Sequence, residues 1–337
     1  MAAPTGWTPD PAASPSEASP VDFEEFGDSG GWAKRPGPGN DDGAFRRAAY
    51  PFQGRIAAGG EFEPAPGRYV LYASYACPWA HRQLIVRELK GLGDVIGLGV
   101  VDPVRDGRGW AFRPGPDLTL DPYNGFTLLR EAYDATEPGY PGHISVPVLW
   151  DLKSRRIVSN NFPDISLDLG SRFNAWAQNP GLDLYPERLR EEIDSINERV
   201  YRTVNNGVYR CGFARRQSAY DLAVAELFES LDWLERLLGS RTHLLGEALT
   251  EADIRLYPTL ARFDAVYATH FKANIRRLVD YPNLWDYARF LYQQPAFGST
   301  TKFDHIKRHY FLTHPHINPT RIIPAGYQTD WLEPTRR

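Results

Sequence analysis

The sequence predicts a small α/β domain followed by an all-helical domain. Three observations carry this. Between Gly67 and Ser159 strand-like and helix-like stretches alternate in the order β-α-β, then β-β. From about Tyr185 onward apolar residues recur at three- and four-residue spacing instead. The chain has 337 residues, enough for roughly two domains of ordinary size.

The elements follow in order. Residues 1–42 are rich in Pro, Ala, Ser, Gly and acidic side chains, without a basic or an apolar leader region, and read as a flexible or loosely wrapped extension. Order is expected to begin near Phe45. Arg68 to Ser74 is rich in aromatic and β-branched residues and predicts a strand. Pro78 suits a first helical turn, and the helix it opens runs to Lys90 and closes at Gly91. Val95–Val101 predicts a second strand, and Val146–Trp150 with Arg156–Ser159 predicts a hairpin across a charged turn. This order matches the thioredoxin type of α/β domain, here over 43–175. A joining segment lies around Gly170 to Pro180, and the all-helical domain is expected over 180–312. Within it Leu189–Tyr201 and Ala219–Leu238 are helical by spacing. Thr250-Glu-Ala-Asp253 has the form of a capping box, worth about 1 kcal/mol. Residues 313–337, with several prolines, predict an extended surface strap.

Composition excludes several classes. The net charge is −4, from 38 basic and 42 acidic residues, so no basic face is offered to nucleic acid. A mean hydropathy of −0.45 and the lack of a long uncharged apolar run argue against a membrane span. Two cysteines, Cys77 and Cys211, cannot make a disulfide framework, which points to a reducing compartment and a cytoplasmic protein. The eight histidines show no ligand spacing, so no metal site is expected. His309, His314 and His316 read as part of a packed strap.

Cys77 stands between a strand end and a helix start. Unpaired N–H groups and partial positive charge at a helix N-terminus favour a thiolate, and His81 and Arg82 add positive charge nearby. A buried core cysteine is the plainer alternative, but Pro78 and the preceding strand favour a reactive thiol. Position 80 holds alanine, so no Cys-x-x-Cys disulfide forms, and a mixed disulfide must be resolved by another thiol. Cys211, in Tyr-Arg-Cys-Gly-Phe, reads as a packing residue. Val146-Pro147 ahead of a strand is the second signature, because proline cannot donate to a sheet ladder. In thioredoxin-type domains such a proline is cis, and the residue before it offers its backbone to an incoming thiol.

Cys77-Pro-Trp-Ala-His-Arg82, Val146-Pro-Val-Leu-Trp150, Val204-Asn-Asn-Gly-Val-Tyr209, Thr250-Glu-Ala-Asp-Ile-Arg255 and His309-Tyr-Phe311 stand in this order. With them the chain resembles the xi-class glutathione transferases, the glutathionyl-hydroquinone reductases, over about residues 43–325. The resemblance implies a thioredoxin-like domain followed by a helical glutathione-transferase C-terminal domain, in a homodimer. It implies that Cys77 is the nucleophile and that Tyr209 and Tyr310 line the aromatic substrate site. It implies that Trp110, Val146, Pro147 and the residues at 161 and 162 bind the thiol. No permanently bound cofactor is expected; a low-molecular-weight thiol is the co-substrate and an aromatic quinol conjugate the substrate.

One departure bears on the thiol. Where relatives carry Glu-Ser for the γ-glutamyl end of glutathione, this chain has Asn161 and Phe162, and His143 stands where arginine is common. Loss of groups that pair with a zwitterion weakens its recognition. Phe162 is expected to offer apolar surface, and 32 Arg against 6 Lys suggests a high-GC genome, so mycothiol is a candidate beside glutathione. A general deglutathionylase acting on mixed disulfides and a non-catalytic binding module of the same fold are the alternative functions.

Overall fold

A computed structural model describes residues 17–28 and 42–337. The described residues form two compact units, one of 17–28 and 49–183, the other of 42–48 and 184–337. Residues 42–48 therefore group with the helical unit, whereas the sequence assigned 43–48 to the α/β domain.

In the first unit β1 (Tyr69–Ala73), α1 (Pro78–Leu89), β2 (Ile96–Val100), α2 (Arg130–Thr136), β3 (Val148–Asp151), β4 (Arg156–Ser159) and α3 (Phe162–Ser171) follow in order. The sheet order is β2-β1-β3-β4, with β1 parallel to β2 and antiparallel to β3, which pairs antiparallel with β4. Every residue of β1 is buried, as expected for a central strand covered on both faces. Helix α1 lies against α3. Gln83 ties them, donating from Nε2 to the Phe162 carbonyl at 2.7 Å and to Ser166 Oγ at 2.6 Å. Gly91, at φ +62°, ends α1 in the left-handed conformation that glycine adopts without strain. Helix α2 has no counterpart in the sequence reading.

The expected loose extension needs correction over 17–28. The Ala18 N–H donates to Phe112 O at 3.0 Å and the Gly107 N–H to Gly27 O at 2.8 Å. Arg108 donates to the carbonyls of Ser19 and Pro20, and its guanidinium pairs with the buried Asp106. Such backbone reading by a guanidinium anchored on a buried carboxylate holds a segment that composition alone makes look loose. The rest of the expected extension, 1–16 and 29–41, lies outside the described residues.

The second unit contains α4 (Arg190–Val200), α5 (Gly207–Gly212), α6 (Gln217–Leu237), α7 (Glu251–Arg262), α8 (Ala268–His270), α9 (Pro282–Tyr292), α10 (Pro295–Gly298) and α11 (Phe303–Thr313). Single π-helical turns, Tyr201–Asn205 and Phe263–Tyr267, precede α5 and α8. The capping box at Thr250 is present. Asp253 accepts from the Thr250 N–H at 2.8 Å, the Leu244 N–H at 2.9 Å and the Tyr287 hydroxyl at 2.7 Å. One cap residue thereby fixes a loop and α9 as well. Residues 314–337 hold no helix or strand. The strap expected to be extended instead turns at 315–317, 319–320 and 331–332, where local backbone hydrogen bonds such as Asn318 N–H to His314 O form. Trp331 packs on Trp285, Tyr292 and Phe303. Among the described residues no helix is long and apolar enough to cross a membrane, and no group of three or more His, Cys, Asp or Glu is gathered to hold a metal.

Candidate active site

In the first unit β1 ends at Ala73 and the chain turns so that Cys77 caps α1, with Pro78 in the first helical turn. The Cys77 carbonyl accepts the His81 N–H at 3.0 Å, and the Cys77 N–H donates to Ser74 O at 3.1 Å. The cysteine is 8% exposed. Its Sγ lies 3.4 Å from the Val146 carbonyl, to which the thiol donates, and the Val146–Pro147 peptide is cis. Two sequence motifs 69 residues apart thus meet at one sulfur.

A residue not singled out from sequence braces this corner. The buried Tyr133 hydroxyl donates to Ser145 O at 2.9 Å and accepts from the Ser145 N–H and Asn160 Nδ2, each at 3.2 Å. It joins the loop before Pro147 to the turn that carries Asn161. That turn caps α3. The Asn161 side-chain amide donates to Asp164 Oδ2 at 2.7 Å, and its backbone N–H to Ser159 Oγ at 3.0 Å.

The expectation for Phe162 is overturned. Its ring is 3% exposed, stacked on Trp79 at 4.7 Å and edge-on to Tyr50 at 5.4 Å. Arg82 places its guanidinium 4.8 Å from the ring centroids of both Trp79 and Phe162. The first turn of α3 directs the side chain into the α1–α3 contact, so no apolar face is turned to a ligand. Trp110 is buried as well, with the Arg105 guanidinium 4.5 Å over its ring. His143 is exposed.

The second unit gathers aromatic residues. Tyr209 on α5 and Tyr310 on α11 share a hydrogen bond of 2.5 Å between their hydroxyls, across 101 residues of sequence. Tyr267, which closes the π-helical turn before α8, hydrogen-bonds the Tyr310 hydroxyl at 3.0 Å. Burial, with the two neighbouring phenols, raises Tyr310 well above the usual phenol range, so it stays protonated. The Arg47 guanidinium lies 4.9 Å from the Tyr209 ring centroid. His270 and His314 are joined through Nε2 and Nδ1 at 3.1 Å, and burial lowers His270 to about 3, which keeps it neutral. Cys211 lies in α5, and burial pushes its thiol up to about 12. It belongs to the packing, as its sequence setting predicted.

The first unit therefore presents a sulfur at a helix N-terminus against the backbone of the Val146–Pro147 motif, and the second a chain of hydrogen-bonded phenols. Comparison with known proteins gives the family. The model of the glutathione S-transferase C-terminal domain matches residues 217–289. Glutathionyl-hydroquinone reductase PcpF of Sphingobium chlorophenolicum is 48% identical over 84% of this chain and 90% of its own length. The crystal structure of glutathione-S-transferase Xi from Phanerochaete chrysosporium superposes with a TM-score of 0.85, at 49% identity, over 88% of this chain and 96% of that one. The glutathione-bound structure of YqjG from Escherichia coli gives a TM-score of 0.80 at 48% identity, over 82% and 90% of the two chains. With relatives this similar over most of its length, the chain belongs to the xi class of the glutathione transferases, the glutathionyl-hydroquinone reductase family.

Proposed function

We propose that this protein is a glutathione-dependent reductase of glutathione-conjugated hydroquinones, with Cys77 as nucleophile. The observation that carries the reading is the position of Cys77 Sγ, at the first turn of α1 and on the Val146 carbonyl. Cys77 Sγ bonds to the thioether sulfur of the conjugate, and the carbon–sulfur bond breaks. Its electron pair passes to the ring carbon, which takes up a proton, and the hydroquinone leaves. A second glutathione thiolate attacks the glutathionyl sulfur of the mixed disulfide, releasing glutathione disulfide and the Cys77 thiolate. The thioether sulfur of the conjugate and the thiol sulfur of the second glutathione end in one disulfide as one ring carbon is reduced. Tyr209 and Tyr310 hold the quinol oxygen, where negative charge develops as the electron pair enters the ring. Val146 receives the backbone of the glutathione cysteine, and Trp110, Pro147, Asn161 and the backbone of Phe162 complete the thiol site.

Glutathione is the thiol this reading selects. One support for mycothiol, an apolar face at Phe162, falls away because that ring is packed inside the unit, and a relative 48% identical has been solved with glutathione bound. A reducing, cytoplasmic setting suits a cycle that must return Cys77 to the thiolate, and a homodimer follows from the family resemblance. The test is to supply a glutathionyl-hydroquinone and glutathione, then measure products and trap the intermediate. Hydroquinone and glutathione disulfide should appear one to one, with a glutathione adduct mapped to Cys77 by mass spectrometry. Product release without that adduct, or binding of mycothiol in preference to glutathione, would overturn it.

A further inference from the structure

Tyr310 is hydrogen-bonded to two other phenols at once, Tyr209 at 2.5 Å and Tyr267 at 3.0 Å. A phenol carries a single proton, so Tyr310 can donate to one of these neighbours and must accept from the other. The two possible directions are not equivalent. If Tyr310 donated inward to Tyr267, Tyr209 would have to donate inward as well, because two acceptors at 2.5 Å repel each other. Its proton would then be turned away from any substrate. If Tyr267 donates to Tyr310, Tyr310 is free to donate to Tyr209, and the Tyr209 proton points onward. Burial grades the three in the same sense: Tyr267 and Tyr310 are enclosed, and Tyr209 is the most accessible. Charge agrees, since the Arg47 guanidinium faces the Tyr209 ring and favours negative charge at that end.

We propose that Tyr267 is a positioning residue for the reaction: its hydroxyl donates to Tyr310 and fixes the donor direction of the chain Tyr267–Tyr310–Tyr209 toward the quinol oxygen. This rests on the reading that the Tyr209–Tyr310 pair serves that oxygen, with Tyr209 as the terminal donor and Tyr310 acting through it. A run of hydrogen bonds aligned in one sense polarises each member, so the terminal donor is stronger than an isolated phenol. The benefit rises as charge builds on the leaving quinol, and is smaller in the ground state. The local backbone fits the role. Tyr267 ends a π-helical turn, an insertion that re-aims side chains and recurs at functional sites. Its ring stacks on Phe271 at 5.5 Å with an interplanar angle of 12°, so packing alone would be served by phenylalanine.

The test is Tyr267→Phe, assayed on a series of glutathionyl-hydroquinones whose quinols differ in acidity, beside Tyr209→Phe, Tyr310→Phe and the Tyr267/Tyr310 double variant. Tyr267→Phe should lower kcat by about three- to tenfold, the worth of one neutral hydrogen bond, with KM for glutathione unchanged. The loss should grow as the quinol becomes less acidic. Because Tyr267 acts through Tyr310, its removal should cause no further loss in the Tyr310→Phe background. Unchanged kcat, an equal loss for every quinol, or independent losses in the double variant would each overturn the proposal. Should Tyr267→Phe be silent while Tyr209→Phe and Tyr310→Phe lose activity, this inference alone fails. Full activity in all three would remove the reading beneath it.

Discussion

The two clusters are built by opposite means. The cysteine corner of the first unit uses short polar turns: a strand end, a helix cap and a cis peptide bring one sulfur to one carbonyl. The phenol cluster of the second unit uses long-range packing of aromatic rings on α5, the π-helical turn before α8, and α11, with hydroxyls that satisfy one another out of water. The first concentrates its chemistry in a single atom, and the second spreads it over several hydroxyls. On the proposed mechanism, loss of the nucleophile removes the route, whereas loss of one donor from the chain weakens it. The two cysteines repeat the contrast, since Cys77 sits at a helix start and Cys211 inside one, where burial holds it protonated.

The largest expected effect separates the clusters outright. Cys77→Ser should lower turnover of a glutathionyl-hydroquinone by on the order of a thousandfold or more, with the melting temperature retained. Steady-state kinetics with calorimetry checks this, and activity near wild type would end the nucleophile assignment. Asp253→Ala comes next, and it probes the scaffold of the second unit. It removes a buried carboxylate that accepts from Thr250, Leu244 and Tyr287, and should cost roughly 3 kcal/mol, most visible as a lowered melting temperature. Alkylation of Cys77 should still proceed in this variant below its melting transition, which iodoacetamide labelling followed by peptide mapping would show.

Smaller changes sharpen the picture of a shared load. Tyr209→Phe and Tyr310→Phe should each lose ~1 to 3 kcal/mol of transition-state stabilisation, read in kcat rather than in KM for glutathione. Unchanged rates in both would return these tyrosines to packing alone. The His270–His314 contact gives a dependence on pH. His270 is lowered to about 3 by burial and is therefore neutral in the fold, while the unfolded chain protonates it below about 6.5. The unfolded state then binds the extra proton, so stability is full above about pH 6.5 and falls as pH drops toward 3. At pH 5 the loss should be up to about 2 kcal/mol, and His270→Gln should flatten that slope in melting curves. A slope unchanged by the substitution would assign the acid sensitivity elsewhere.

Local chemistry was legible in the sequence. Cys77-Pro78 at a strand end, Val146-Pro147 before a strand and the Thr250–Asp253 cap each act over a few residues, where backbone preference and one side chain suffice to define the geometry. Tertiary structure alone decided which way side chains turn and which distant groups meet. It sent the Phe162 ring inward between Trp79 and Tyr50, because the phase of α3 against α1 is a property of their packing. It placed Tyr133 between Ser145 and Asn160, and Tyr267 on Tyr310, contacts that no residue spacing encodes. It drew residues 17–28 onto the carbonyl-reading side chain of Arg108, which composition had made look loose. The proposed nucleophile could be read from its immediate neighbours because helix-end electrostatics is local. The donors could be linked only in three dimensions, because a buried hydroxyl takes whichever partner the fold brings within hydrogen-bond reach.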